Sequence, residues 1–156
     1  LAAGATTATG KPFPYTRSDG VSAVLFRSSD NHVRELSLSA TGWSSRDLTV
    51  AAGAPVAASD PIGYVRSDGV SVVLFKGTDN RVRELNLVGS SWGLSDLMTA
   101  SGGPVANGVG LSAYVRADRV NVVTYRTSDN HVHELNLAKG SSWGHSDLTS
   151  VVGGAI

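Results

Sequence analysis

At 156 residues the chain has the length of a single domain, and its thirteen basic and thirteen acidic side chains cancel to a formal charge of zero. No basic excess exists to neutralise a phosphate backbone or an anionic bilayer, and no apolar run approaches the roughly 18 to 20 residues of a membrane-spanning helix, so neither nucleic acid nor membrane insertion is expected. Cysteine is absent, which removes disulfides, thiolate metal sites and cysteine nucleophiles together, while eighteen glycines and only 17% charged residues suit a turn-rich all-β protein.

Along the chain one unit of about 50 residues recurs three times. Tyr15, Tyr64 and Tyr114 align, then Asp30-Asn31, Asp79-Asn80 and Asp129-Asn130, then Trp43, Trp92 and Trp143. One extra residue enters between Trp92 and Tyr114 and another within Ala138 to Ser142, both in connections. The repeats run from about 1 to 50, 51 to 100 and 101 to 156. In the middle copy Ile62 to Arg66 is the first predicted strand, closed by Ser67-Asp68-Gly69, where Asp forms an Asx turn and Gly tolerates positive φ. Val70 to Lys76 follows, with Val72-Val73-Leu74-Phe75 apolar without a break, as in a strand buried on both faces. Gly77 to Asn80 makes a hairpin loop into Val82 to Val88, and Gly89-Ser90-Ser91 turns into a fourth strand at Trp92.

No segment carries helical periodicity with caps over ten residues, so the predicted fold is all-β, built of three four-stranded antiparallel blades of a β-propeller. Propellers have four to eight blades, and three leave an open arc with two apolar faces uncovered. The simplest cover is a second copy, and a homodimer forming a six-bladed ring is the expected closure. Leu1 stands first with no charged-then-apolar signal segment before it, which fits a processed or trimmed chain and leaves secretion or a cell-surface destination as the expectation.

Gly53-Ala54-Pro55, Asp60 to Gly69, Thr78-Asp79-Asn80, Glu84-Leu85, Trp92 and Asp96-Leu97 together resemble the repeat of the PLL-type bacterial propeller lectins, and the likeness runs over essentially the whole chain. The resemblance implies a carbohydrate-binding propeller with repeated sites near blade boundaries and a fucose-type preference. It departs from that family in blade number, since those lectins close seven blades in one chain.

The residues point the same way independently. A sugar needs an aromatic face for its C–H surface and rigid polar groups for its hydroxyls. Trp43, Trp92 and Trp143 supply a face, or lock one blade against the next. Glu35, Glu84 and Glu134 lie in an otherwise apolar strand pattern, where a carboxylate needs a partner; Arg17, Arg66 and Arg116 recur beside them. Such pairs either present donors and acceptors to a ligand or tie the blade internally. Tyr15, Tyr64 and Tyr114 frame a pocket or pack its wall. Asp47, Asp96 and Asp147, which precede Leu in the last strand, read as turn-capping or backbone-bonding carboxylates, and Asp19, Asp68 and Asp118 as turn residues. Arg119 replaces the glycine of the other two copies, Gly20 and Gly69.

His32 and His131 suggest a metal, but Arg81 is their counterpart; Arg34 and Arg83 likewise stand where the third copy has His133. No metal or cofactor is therefore expected from the repeat. Near-identical units argue against an enzyme, whose site needs unequal groups converging on one centre. They suit a multivalent binder of fucosylated or related glycans, in which weak sites act together. The alternative is a non-enzymatic protein-interaction scaffold on the same propeller.

Overall fold

The computed structural model describes residues 6–108 and 110–153. It contains three four-stranded antiparallel sheets, each a simple meander of strands consecutive in sequence. The first is β1 (Phe13–Thr16), β2 (Ser22–Arg27), β3 (Val33–Ser39) and β4 (Gly42–Asp47); the second is β5 (Ile62–Val65), β6 (Ser71–Lys76), β7 (Val82–Val88) and β8 (Ser91–Asp96). The third is β9 (Ser112–Val115), β10 (Asn121–Arg126), β11 (Val132–Leu137) and β12 (Gly144–Asp147). Strand β1 packs beside β5 and β5 beside β9, so successive sheets fan out from their first strands as propeller blades do.

The turns follow from residue chemistry. Asn31, Asn80 and Asn130 hold φ of 63°, 61° and 67°, a left-handed conformation that Asn adopts more readily than most side chains, and this bends the second strand of each blade into the third. Gly20 and Gly69 take positive φ in the first turn, and Arg119 takes the same conformation at 66° in the third blade. There its guanidinium reaches back to the Ser67 carbonyl at 2.8 Å, an inter-blade bond that no glycine can make.

The sheets are followed by short helices, α1 (Leu48–Ala52), α2 (Leu97–Ser101) and α3 (Leu148–Val151). Asp47, Asp96 and Asp147 end the last strand of each blade and, as the capping role expected of them implies, bond backbone amides; what the sequence does not announce is that the amides belong to a helix, of which each is the N-cap. Asp96, for example, accepts from the Met98 and Thr99 amides. A helix of one turn has too few residues to show a period, and the cap is its only signal. No described helix is long and apolar enough to cross a membrane.

The core lies between the blades. Alternation along β6 sends Val73 and Phe75 to one side, with Leu25, Val33, Leu48 and Trp92, and Val72 and Leu74 to the other, with Val123, Tyr125 and Leu135. The whole of β6 is buried, as its unbroken apolar run predicts. Positions covered at the inner junctions are open at the ends. Trp92 is 5% exposed but Trp43 58%, and Val33 and Val82 are sealed while Val132 is 45% exposed.

Blade contact is close at Gly63, where an added Cβ would lie 2.8 Å from Tyr15 Cγ and 2.9 Å from Leu25 Cδ1. Gly63→Ala should therefore lower the unfolding free energy in urea by about 1–3 kcal/mol through overpacking of the first junction. An unchanged midpoint would show that the junction is loose.

Candidate functional site

Each blade places Tyr, Arg and Glu on one face, which in the first two blades lies against the next blade. In the first, Tyr15 donates to Glu35 Oε2 at 3.1 Å and Arg17 Nη1 donates to Glu35 Oε1 at 3.2 Å. In the second, Arg66 Nη1 donates to Glu84 Oε1 at 3.0 Å, whereas the Tyr64 hydroxyl and Glu84 Oε2 are buried without a hydrogen-bond partner among the described residues. In the third, Arg116 stands 3.6 Å from Glu134 and Tyr114 is 49% exposed. The three arginines also pair with Asp19, Asp68 and Asp118, whose carboxylates accept from the amides of Val21, Val70 and Val120. The turn aspartates thus hold the guanidiniums as well as the turns.

Glu35 and Glu84 are each 1% exposed. Burial pushes the Glu84 carboxyl above its ordinary range, against the opposing pull of the Arg66 guanidinium and the Asn86 amide. Burial and the neighbouring Glu84 charge also raise the Tyr64 phenol, which therefore stays a hydrogen-bond donor at neutral pH. These are rigid, desolvated polar groups, two of them with unused bonding capacity.

Tryptophan comes from the other side of the boundary. Trp92 belongs to the core cluster that Tyr15 packs against, and Trp143 packs on the same cluster as Tyr64. The repeated residues are thus brought together across junctions, not within one blade. Among the described residues, Trp43, at one end of the arc, and Tyr114, Arg116 and Glu134, at the other, have no counterpart opposite them. Trp92 is so deeply buried that its ring is no open platform for a ligand; its indole N–H is buried and unpartnered, a free donor at the first junction.

A cleft of about 700 Å³ opens between the second and third blades, with Arg66, Ser67 and Asp68 on one wall and Asp118, Arg119 and Asn121 on the other. Its floor is tied across the junction by Asn121 Oδ1, which accepts from the Ser67 amide at 2.7 Å. The first junction is tied more simply, by the Ser18 amide donating to Ser71 Oγ at 2.9 Å. The sequence reading missed Asn121, and missed Asn86 and Asn136, whose amides reach Glu84 and Glu134 at 3.5 and 3.1 Å. The available signal was a pairing between strands: Asn86 and Asn136 face Gly93 and Gly144, while the first blade sets Ser37 against Ser44.

No family model matches the chain, and no curated protein matches it by sequence. Solved structures do match. A fucose lectin from Kordia zhangzhouensis, in complex with methyl-fucoside, aligns over 87% of this chain and 97% of its own at 16% identity and a TM-score of 0.58. A triple arginine-to-alanine variant of AofleA from Arthrobotrys oligospora aligns over 90% of this chain at 15% identity and a TM-score of 0.64; AofleA itself aligns over 87% at 13% and 0.59. The chain spans only 42% and 39% of those two. At such identities the likeness is one of fold, and the chain shares the bladed all-β architecture of these proteins.

The raised Glu84 carboxyl makes a pH prediction. Its contribution to stability is fully present below the unfolded carboxyl's range and is lost as pH rises through the higher folded value. Between about pH 4 and pH 7 the unfolding free energy of Glu84→Gln should therefore fall less, or rise more, than that of the parent. Parallel curves would mean that Glu84 is not desolvated.

Proposed function

We propose that this chain is a multivalent, non-enzymatic sugar-binding protein of the PLL-like type, taking fucose or a related deoxy-sugar at its blade junctions. The carrying observation is the desolvated Tyr64–Arg66–Glu84 group, with Tyr64 OH and Glu84 Oε2 unpartnered among the described residues, whose Arg66 lines the 700 Å³ cleft at the junction while Trp143 packs on the same core cluster as Tyr64. Buried polar groups without partners cost about 1–3 kcal/mol each, and a ligand bearing vicinal hydroxyls offsets that cost by bonding to them. Arg66 supplies donors, Glu84 an acceptor, and Trp143 and Tyr64 an apolar wall for a sugar's C–H face. The fold shared with a fucose lectin supports the reading.

Ring closure by a second copy belongs to the same proposal. Each inner junction is stitched by a left-handed asparagine whose carbonyl accepts from the next blade: Ala57 N to Asn31 O at 2.8 Å, and Ala106 N to Asn80 O at 2.9 Å. Asn130 has the same conformation and, among the described residues, no such donor; Ala8 holds the repeat position of Ala57 and Ala106. Ser22, exposed, holds that of the buried Ser71 and Asn121. Setting one copy's Asn130 against the other's Ala8 turns both ends into junctions like the inner two, and places Trp43 opposite Tyr114, Arg116 and Glu134. Two three-repeat arcs then make six blades and up to six sites, two of them shared between copies.

Titrating methyl-fucoside against the intrinsic tryptophan fluorescence tests the sugar reading. The parent should show a saturable change, and Arg66→Gln should bind at least about tenfold more weakly with its near-ultraviolet dichroism retained. A folded parent with no response to fucose or its relatives would overturn the proposal.

A further inference from the structure

The outer rim of each blade carries two aspartates, one in the hairpin turn after the second strand and one at the helix N-cap. In the first two blades a single arginine spans them. Arg34 Nη2 lies 2.8 Å from Asp30 and 3.0 Å from Asp47, and Arg83 lies 2.6 Å from Asp79 and 3.2 Å from Asp96. The third blade keeps both carboxylates, Asp129 and Asp147, but replaces the arginine with His133. The shorter ring stops 3.8 Å from Asp147, and among the described residues neither of its nitrogens makes a hydrogen bond. His133 is nevertheless only 6% exposed, and its Nδ1 is buried and unpartnered. A second imidazole, His131, lies with its ring centroid 6.4 Å away and its Nδ1 2.6 Å from Asp147 Oδ2.

We infer that this corner of the third blade is a binding site for a divalent transition-metal ion of the zinc type, held by Asp129, His131 and His133. One donor atom from each of these residues lies within 4.8 Å of the others. Zinc bonds of about 2.0–2.2 Å in a tetrahedron put ligand atoms about 3.3 Å apart, so binding needs side-chain shifts on the order of an ångström. Asp129 is exposed and His131 half-exposed, which leaves both an entry path and room to move. Asp147, bonded to His131, orients that ring as carboxylates do behind metal-bound histidines.

The charge logic supports the same conclusion. Two carboxylates that a guanidinium bridges elsewhere have lost that cation, and a divalent ion restores it. Mixed imidazole and carboxylate donors suit zinc better than calcium or magnesium, which prefer oxygen alone. The expectation of no metal rested on a site common to all three repeats, and His133 breaks the repeat. The first blade provides an internal control. Asp30, His32 and Asp47 are gathered as closely, but Arg34 sits on both carboxylates and already supplies their counter-charge, so the inference predicts no zinc there.

The test is zinc titration calorimetry, with metal analysis after dialysis, on the full chain free of any histidine tag. The parent should hold about one zinc per chain. His133→Arg, which restores the residue of the other two blades and so should fold, should bind at least about 100-fold more weakly, with an unfolding midpoint in chelator no lower than the parent's. His32→Arg, the residue found at Arg81, should leave zinc binding unchanged. A parent that retains no stoichiometric zinc, retention undiminished in His133→Arg, or a loss caused by His32→Arg would each overturn the inference.

Discussion

The structure depends on one contact made twice: the face of a blade bearing Tyr, Leu and Glu lies against the face of the next bearing Val, Phe or Tyr, and Trp. A four-stranded sheet has no interior, and its apolar side chains leave water only when another sheet covers them. Burying a Val, Leu or Phe contributes about 1.5–3 kcal/mol, and β6 places its apolar residues on both of its faces. The middle blade, covered on both sides, is accordingly the most completely buried. The outer blades each leave one face short of the same contact, and those two faces are the halves of the junction that the molecule already builds internally.

The functional groups inherit their properties from that contact. Glu35 and Glu84 are buried because the next blade covers them, and each is held by an arginine that is itself held by a turn aspartate. Removing two charges from water is expensive, and their mutual attraction repays it only when the remaining bonding positions are filled. At the second junction Tyr64 OH and Glu84 Oε2 have no hydrogen-bond partner among the described residues. Polar groups placed and desolvated by packing, with bonding capacity to spare, are held in fixed positions before any ligand arrives, and only a small opening of the junction would expose them.

Much of this was legible in the sequence, for identifiable reasons. The run Val72 to Phe75 announced a strand buried on both faces, and the Asp-Asn and Asp-Gly turns set the hairpins, because these signals are local. The Arg–Glu recurrence announced a pair, and Arg17–Glu35 and Arg66–Glu84 are such pairs. What was hidden depended on contacts between blades. Nothing in the spacing of Trp92 indicates that it packs with Tyr15 of the previous repeat, nor that Asn121 ties Ser67 across a junction. The one-turn helices were hidden because their sequence is too short to carry a period, although Asp47, Asp96 and Asp147 marked their starts. His133 reads in the repeat as a variant of Arg34 and Arg83, whereas its shorter reach changes what surrounds it.

Since each described sheet is made of consecutive strands, the proposed closure by a second copy would join whole blade faces, with the same packing and backbone stitching as the inner junctions. The most direct measurement of the account is therefore the solution mass by light scattering over a range of concentrations, set against the 16.1 kDa chain. A stable mass of twice the chain, reduced by Trp43→Asp at one end face and by Val132→Asp at the other, is the predicted result. A monomer that stays soluble with Trp43 and Val132 exposed would contradict it.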